Sequence, residues 1–263
     1  MEAEIKNVVG HFKNGEIGRE ILWFESIDST NAYALQLPEK EFIHGTVIVA
    51  GSQTRGRGRQ GRSWLSLADK GLYFTVMLSS SRPARETPVI SFLASLALYE
   101  ALSDYCDGKL DIKWPNDILL DGKKICGILG EMRIDPNGCQ RIALGMSVNI
   151  SHQKNDFPEA FRDRSTSILL SGKKNPGAAA ILKAILERLN VWNAAFNQGD
   201  IDKIISSVTA CSSYVSGKRI VVDAEVGSPV TGTTAGLNPD GSLQLRLDQG
   251  MEITLRAGEV HLL

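Results

Sequence analysis

Between residues 55 and 62 the chain reads R-G-R-G-R-Q-G-R, four arginines and three glycines in eight positions, with Ser63 and Trp64 directly after. Glycine lets a backbone approach a ligand closely and aim successive N–H groups into one concavity, where an anion can settle. Arginine adds planar, permanently charged donors that match carboxylate and phosphate oxygens. The combination reads as a loop for an anionic ligand, with nucleic acid as the rival partner and a solvated basic connector as the plainest alternative. A second chemical stretch runs from Lys113 through Trp114, Pro115 and Asn116 to Asp117, and a third places Lys123 and Lys124 after an Asp121-Gly122 turn. Strand alternation puts Lys124, Cys126 and Ile128 on one face and Lys123, Ile125, Gly127 and Leu129 on the other, so one lysine has to turn inward. A buried ammonium is costly without an anionic partner, which points to a ligand. Two lysines snorkelling at an exposed strand end is the competing reading.

Other chemistries find no support. His11, His44, His152 and His261 are scattered, with no H-E-x-x-H or other metal spacing. There is no G-x-S-x-G elbow, no phosphate-binding G-x-x-x-x-G-K-S/T and no G-x-G-x-x-G opening a helix after a strand. Cys126 beside Lys124 is a conceivable nucleophile, but a lone cysteine in a strand is usually a small core residue. What remains is a set of anion binders without a protein nucleophile. That suits a reaction in which a substrate carboxylate attacks a nucleotide phosphate while the protein positions and neutralises.

The composition of the 263-residue chain, 43% hydrophobic and 22% charged with net charge −1, is that of an ordinary soluble protein. It lacks the broad basic surface that sequence-independent nucleic-acid binding requires, so its positive charge is local. Four cysteines without a C-x-x-C pair read as reduced, cytoplasmic thiols. The first residues are acidic where a signal peptide is basic, and the apolar run 89–98 is broken by Ser91 and Ser95 and too short for a bilayer. A soluble intracellular protein is expected.

The arginine loop lies between two apolar runs, 46–50 and 71–78, that read as strands. A short strand at 21–24 precedes Asp28, Ser29 and Thr30, which either cap a helix over 32–37 or present a helix start to a ligand. Thr87-Pro88 predicts the start of a buried helix reaching about Tyr105. Proline ends a strand at Trp114, Asp121-Gly122 predicts a hairpin, and a further turn at 135–138 returns a strand over 141–150. Successive hairpins make the fold α+β with a largely antiparallel sheet. Residues 151–176 read as a polar loop. A helix then runs to about Gln198 with Ile181, Ile185, Leu189, Trp192 and Phe196 on one stripe; Gly199 ends it and Asp200 caps a successor. From residue 218 several short strands read as a small β-barrel. The expected division is an N-terminal arm with at most a marginal helix (1–19), a catalytic domain (20–213) and the barrel (214–263).

Three motifs in this order and spacing, G-R-G-R-Q-G-R-S-W (56–64), K-W-P-N-D (113–117) and G-K-K-I-C-G-I-L (122–129), closely resemble those of the biotin–protein ligases. Ser29, Thr30, Asn31 and Gln53 match the family's upstream biotin-contacting positions, and G-M-S-V-N (145–149) matches its later nucleotide-side motif. The likeness covers roughly residues 20–263. It implies a class II synthetase-like catalytic domain followed by an SH3-like barrel. It also implies a two-step reaction in which biotin and ATP form biotinyl-5′-AMP and biotin then passes to a lysine of a biotin carboxyl carrier protein.

On the same resemblance Ser29, Thr30, Asn31 and Gln53 would hydrogen-bond the biotin head group, with Gly127 also at the biotin site. Arg57, Gly58 and Arg59 would close over biotin and the adenylate phosphate as a loop that orders on binding. Arg62, Trp64 and Asn149 would serve the nucleotide, Trp64 packing near adenine. Lys124 would sit between the biotin carboxyl and the α-phosphate, sharing the catalytic work with Arg57 and Arg59, and Asp117 would orient or deprotonate the acceptor lysine. Magnesium would arrive with ATP, without a protein metal site. Many bacterial members carry an N-terminal winged helix and act as repressors; nineteen residues ahead of residue 20 cannot hold a three-helix module, so a ligase without DNA binding is expected. A homodimer is left open. The rival functions are a lipoate or octanoate ligase on the same fold, and an RNA-binding module whose affinity falls steeply with salt and needs no ATP.

Overall fold

The computed structural model describes residues 1–172, 175–223 and 229–263, apart from the side chains of residues 84, 85 and 87. The apolar runs on either side of the arginine loop become neighbouring strands of one sheet. β1 (Ile21–Ile27) lies parallel to β2 (Val47–Gln53), which pairs antiparallel with β3 (Gly71–Ser80). β4 (Leu110–Lys113), β5 (Asp117–Leu120), β6 (Lys123–Ile134) and β7 (Gln140–Asn149) complete seven strands in the order β1-β2-β3-β7-β6-β5-β4. Only β1–β2 is parallel, so the sheet is mixed and largely antiparallel, as the hairpin pattern predicts. At the predicted hairpin, Asp121 and Gly122 both take positive φ, 48° and 76°, the conformation that a tight two-residue turn demands.

The first eight residues of β3 are buried because both faces of the sheet are covered. On one face Val47, Val49, Val76 and Leu78 join the main core with α3 (Ile90–Ser103), α5 (Ala178–Gln198) and α6 (Ile201–Ala210). On the other face Ile48, Met77 and Ala143 meet Ala34 of α2 (Thr30–Gln36). The stripe expected on α5 is buried as predicted, and Gly199 ends that helix at φ 87°. Asp200 occupies the cap position of α6, but its side chain makes no capping bond.

Residues 1–19, expected as a short, marginal helix or an arm, hold the short helix α1 (Glu2–Asn7) and the 3-10 turn Val8–His11, and Ile5, Val8, Phe12 and Ile17 are buried in the main core. Ile5 and Val8, three residues apart, share one helical face, and Phe12 follows in extended backbone at the end of the turn. The helix expected from Thr87-Pro88 starts later, at Ile90, because Ala84–Val89 forms 3-10 turns with Pro88 inside them. The cap expected at Thr87 lies outside the described side chains.

β8 (Ser216–Asp223), β9 (Val230–Leu237), β10 (Leu243–Leu247), β11 (Glu252–Leu255) and β12 (Glu259–Leu262) form a second, antiparallel sheet ordered β11-β10-β9-β8-β12, in keeping with the expected small β domain. It is not freestanding. Ile220, Val222, Leu243, Leu245 and Val260 belong to the same core cluster as α3 and α5. Trp114, 2% exposed, donates its indole N–H to the Gly241 carbonyl at 3.0 Å. Among the described residues no helix is long and apolar enough to cross a membrane.

Candidate active site

Ser29 caps α2, its Oγ accepting from Ala32 N–H at 3.4 Å, and this sets Thr30 and Asn31 in the first turn over the sheet. Gln53, at the end of β2, accepts from Thr30 N–H at 2.9 Å and donates to Ser66 Oγ at 2.9 Å. Thr75 Oγ1, fully buried on β3, is 2.6 Å from Asn31 Oδ1 and 2.7 Å from Thr30 Oγ1. The Asn31 amide has no proton on Oδ1, so Thr75 donates there, and Thr30 in turn donates to Thr75 or to Gln53 at 3.2 Å. Asn31 Nδ2 donates to the Leu129 carbonyl at 3.0 Å and to Glu131 Oε2 at 2.9 Å. Asn31 fits only because residue 145 is glycine: a Cβ there would lie 2.3 Å from Asn31 Oδ1. Of the four residues expected at a head-group pocket, Thr30, Asn31 and Gln53 are thus joined in one hydrogen-bond network with Thr75, Ser66 and Glu131, and Ser29 caps the helix that carries two of them. Thr75, a hydroxyl inside an otherwise apolar strand, is the signal that sequence alone offers for the additional members.

The lysine question is decided by a bulge. Ile118 faces Cys126, but Leu119 faces Lys124, so Ile125 has no partner on β5. The alternation predicted for 123–129 fails at that point: Ile125 and Cys126 are both fully buried, and Lys124 comes to the side of Gly127 rather than of Cys126. Trp64 marks this side. Lys124 Nζ lies 5.1 Å from its ring centroid, and a Cβ on Gly127 would lie 2.7 Å from the ring edge. Lys123 is exposed, whereas Lys124 is half-buried with Nζ 2.8 Å from Asp117 Oδ1. That oxygen is shielded from solvent and outside hydrogen-bond geometry, so the pair is held by charge alone; the Trp64 indole N–H is likewise buried without a partner. Lys113 lies nearby: burial lowers its pKa, Lys124 and Arg164 act in the same direction, and Asp117 and Glu259 oppose them. Burial pushes the Cys126 thiol well up, which makes it a core residue and no nucleophile.

The arginine loop is a narrow hairpin, with Gly58 N–H donating to the Arg62 carbonyl at 2.7 Å and Trp64 N–H to the Gly56 carbonyl at 2.9 Å. Each arginine reaches a different element. Arg55 pairs with Asp28 at 3.2 Å, Arg57 with Glu131 of β6 at 2.8 Å, and Arg62 with Glu259 of β12. Arg59 donates to Asn116 Oδ1 of the K-W-P-N-D motif at 3.2 Å. This is no free basic track, which counts against the RNA-binding reading. Asn149, 4% exposed, donates to the Thr166 carbonyl at 3.0 Å and so holds the segment whose backbone flanks Lys124, with Lys124 N–H on the Arg164 carbonyl at 2.8 Å. Among the described residues no group of three or more His, Cys, Asp or Glu could hold a metal ion.

Glu259 ties the second sheet to the loop, and it gives a pH test. Burial raises its pKa, but the Arg62 hydrogen bond and the charges of Arg62, His261 and Lys113 outweigh this and leave it below the usual 4.5. A carboxylate lowered in the folded state stabilises above its unfolded pKa, and that contribution is lost as pH falls through the folded value. Cleavage of the loop by an acid-tolerant protease should therefore stay constant from neutral pH through 4.5 and rise only below it. Glu259→Gln should cleave faster at neutral pH and lack that acid step. Identical profiles for both proteins would remove the anchoring role.

The model of the Biotin/lipoate A/B protein ligase family matches residues 23–149, a segment holding the loop, Asp117, Lys124 and Asn149. The bifunctional ligase/repressor BirA of Bacillus subtilis (strain 168) is 33% identical over 174 residues, 66% of this chain and 54% of that protein. The match thus spans about half the length of that relative. The biotin--[acetyl-CoA-carboxylase] ligase of Mycobacterium tuberculosis is 28% identical over 226 residues, 83% of this chain and 79% of the other. The solved biotin protein ligase from Aquifex aeolicus in complex with biotin and ATP has TM-score 0.78 and 26% identity, covering 93% of this chain and 99% of that one. Its fold, its motif-bearing segment and these relatives agree: residues 23–149 of the chain match the biotin/lipoate A/B protein ligase family.

Proposed function

We propose that the chain is an ATP-dependent biotin–protein ligase of the biotin–[acetyl-CoA-carboxylase] type. In the first step a biotin carboxylate oxygen attacks the α-phosphorus of ATP, pyrophosphate leaves, and biotinyl-5′-AMP forms. In the second the ε-amine of a carrier lysine attacks the acyl carbon and AMP leaves. The observation that carries the reading is the setting of Lys124, an ammonium brought by the bulge beside Trp64 and 2.8 Å from Asp117, while Arg59 of the loop reaches Asn116 next to Asp117.

Lys124, with Arg57 and Arg59, neutralises the charge that builds on carboxylate and phosphoryl oxygens during adenylation. Asp117 orients the acceptor amine and takes its proton. Ser29, Thr30, Asn31 and Gln53 hold the polar ureido ring of biotin, and Gly127 lets the ligand and Trp64 approach the strand. Trp64, Arg62 and Asn149 serve the nucleotide side. Magnesium enters bound to ATP. Closure of residues 57–59 shields the mixed anhydride from water. The partner is a biotin carboxyl carrier protein of acetyl-CoA carboxylase or a similar carrier domain, met in the cytoplasm.

ATP–pyrophosphate exchange, run with biotin, lipoate, octanoate and no acid, tests this directly. Exchange with biotin alone is expected. Exchange with lipoate or octanoate instead would keep the site and change the substrate, and silence with every acid would sink the proposal. The loop should also be cut by protease in the free protein and protected by biotin plus ATP; equal cleavage would refute ordering.

A further inference from the structure

Glu131 falls outside the three motifs, yet it is the junction of the site. Its Oε2 accepts from Asn31 Nδ2 at 2.9 Å while its Oε1 faces Arg57 Nη2 at 2.8 Å. Beyond Asn31 the contacts continue through Thr75 at 2.6 Å, Thr30 at 2.7 Å, Gln53 and finally Ser66 Oγ at 2.9 Å. Both ends of this path, Arg57 and Ser66, lie in the arginine loop and its return. The path between them runs through the head-group pocket. Thr75 is fully buried, and Thr30, Asn31 and Ser66 are 3%, 3% and 6% exposed, so water is a poor substitute for any lost partner.

We propose that Glu131 is a positioning residue that reports occupancy of the head-group pocket to the arginine loop, an inference that rests on the ligase reading above. A ureido-type ligand brings its own N–H and C=O groups to Thr30, Asn31 and Gln53. Each hydroxyl has one proton and the Asn31 amide two, so a bond gained by the ligand is a bond withdrawn from the path. When Asn31 turns its neutral amide to the ligand, Glu131 keeps Arg57, its cationic partner. The ion pair tightens and draws the loop down over the pocket. Thermodynamic linkage makes the effect mutual: the closed loop raises affinity for the ligand by the factor with which the ligand favours closure.

Glu131→Gln tests the relay, because it keeps an acceptor for Asn31 and removes the charge that holds Arg57. The measurements are calorimetric biotin affinity, loop proteolysis with biotin alone, and exchange kinetics on the intact chain. The expected result is biotin affinity about tenfold weaker, a usual size for coupled sites, with loss of biotin-induced loop protection. The biotin KM should rise similarly, and kcat at saturating biotin should fall as well, because Arg57 loses the carboxylate that holds it. Thr75→Val, which breaks the path without touching the loop, should also abolish biotin-induced protection, and it carries the test should Glu131→Gln fail to fold. Retention of biotin-induced protection and biotin KM in either folded variant, with biotin-dependent exchange intact in the unaltered chain, would overturn the relay and leave the ligase reading standing. No response of the unaltered chain to biotin in any of the three assays would overturn both.

Discussion

Replacing Lys124 with alanine is expected to slow biotin-dependent ATP–pyrophosphate exchange by two to three orders of magnitude. That is about 2.7–4 kcal/mol of transition-state stabilisation, the usual effect of removing one preorganised charge-stabilising donor. The stability effect should be far smaller. The Lys124 and Asp117 side chains are 34% and 18% exposed, and the pair lacks hydrogen-bond geometry, so its loss costs about 0–1 kcal/mol. Exchange kinetics and a thermal melt of the same sample separate the two effects. An unchanged exchange rate would refute the catalytic role, and a collapse in Tm matching the loss of rate would make the residue structural. Lys124→Arg should not rescue: a planar guanidinium has a different shape and reach from an ammonium placed between Trp64 and Asp117.

The second large effect comes from a residue that touches no substrate. Gly145→Ala puts a methyl group 2.3 Å from Asn31 Oδ1, in the middle of a sheet where β7 is paired on both sides and cannot shift cheaply. Asn31 has to move, which breaks its bonds to Thr75 and Glu131 and strands buried polar groups at about 1–3 kcal/mol each. The expected outcome is a biotin affinity lowered about thirtyfold or more, equivalent to about 2 kcal/mol, and a lower melting temperature. Titration with biotin checks it. Unaltered affinity would mean that Asn31 makes no contribution to the pocket.

How much of this was legible beforehand depended on the range of the interaction. Local chemistry was readable: positive φ at Asp121 and Gly122, the strand end before Trp114, the α5 stripe and the hairpins that make the sheet largely antiparallel. The anion-binding character of the arginine loop was readable from residue type, whereas the roles of the single motif residues came only from the family resemblance. The inward lysine was not decidable, since strict alternation treats Lys123 and Lys124 alike and the bulge at Ile125 breaks the alternation. The supporting partners were hidden for a different reason. Asn31 and Glu131 are 100 residues apart, and Arg62 and Glu259 are 197 apart, so no local pattern connects them. The same applies to α1, whose apolar face has meaning only once β1 and α5 exist to receive it.

The distance between Arg62 and Glu259 has a consequence for biosynthesis. A ribosome adding about 5–20 residues per second delivers Glu259 roughly 10–40 s after Arg62. For that interval the nascent chain displays its arginine loop without β12 to anchor it, and Trp114 of the K-W-P-N-D motif waits 127 residues for the Gly241 carbonyl. Under the ligase reading the adenylate is an acylating agent toward any nearby amine, including those of the translating ribosome. Placing an anchor of the loop in β12, 197 residues downstream, ties the onset of that chemistry to the arrival of that strand.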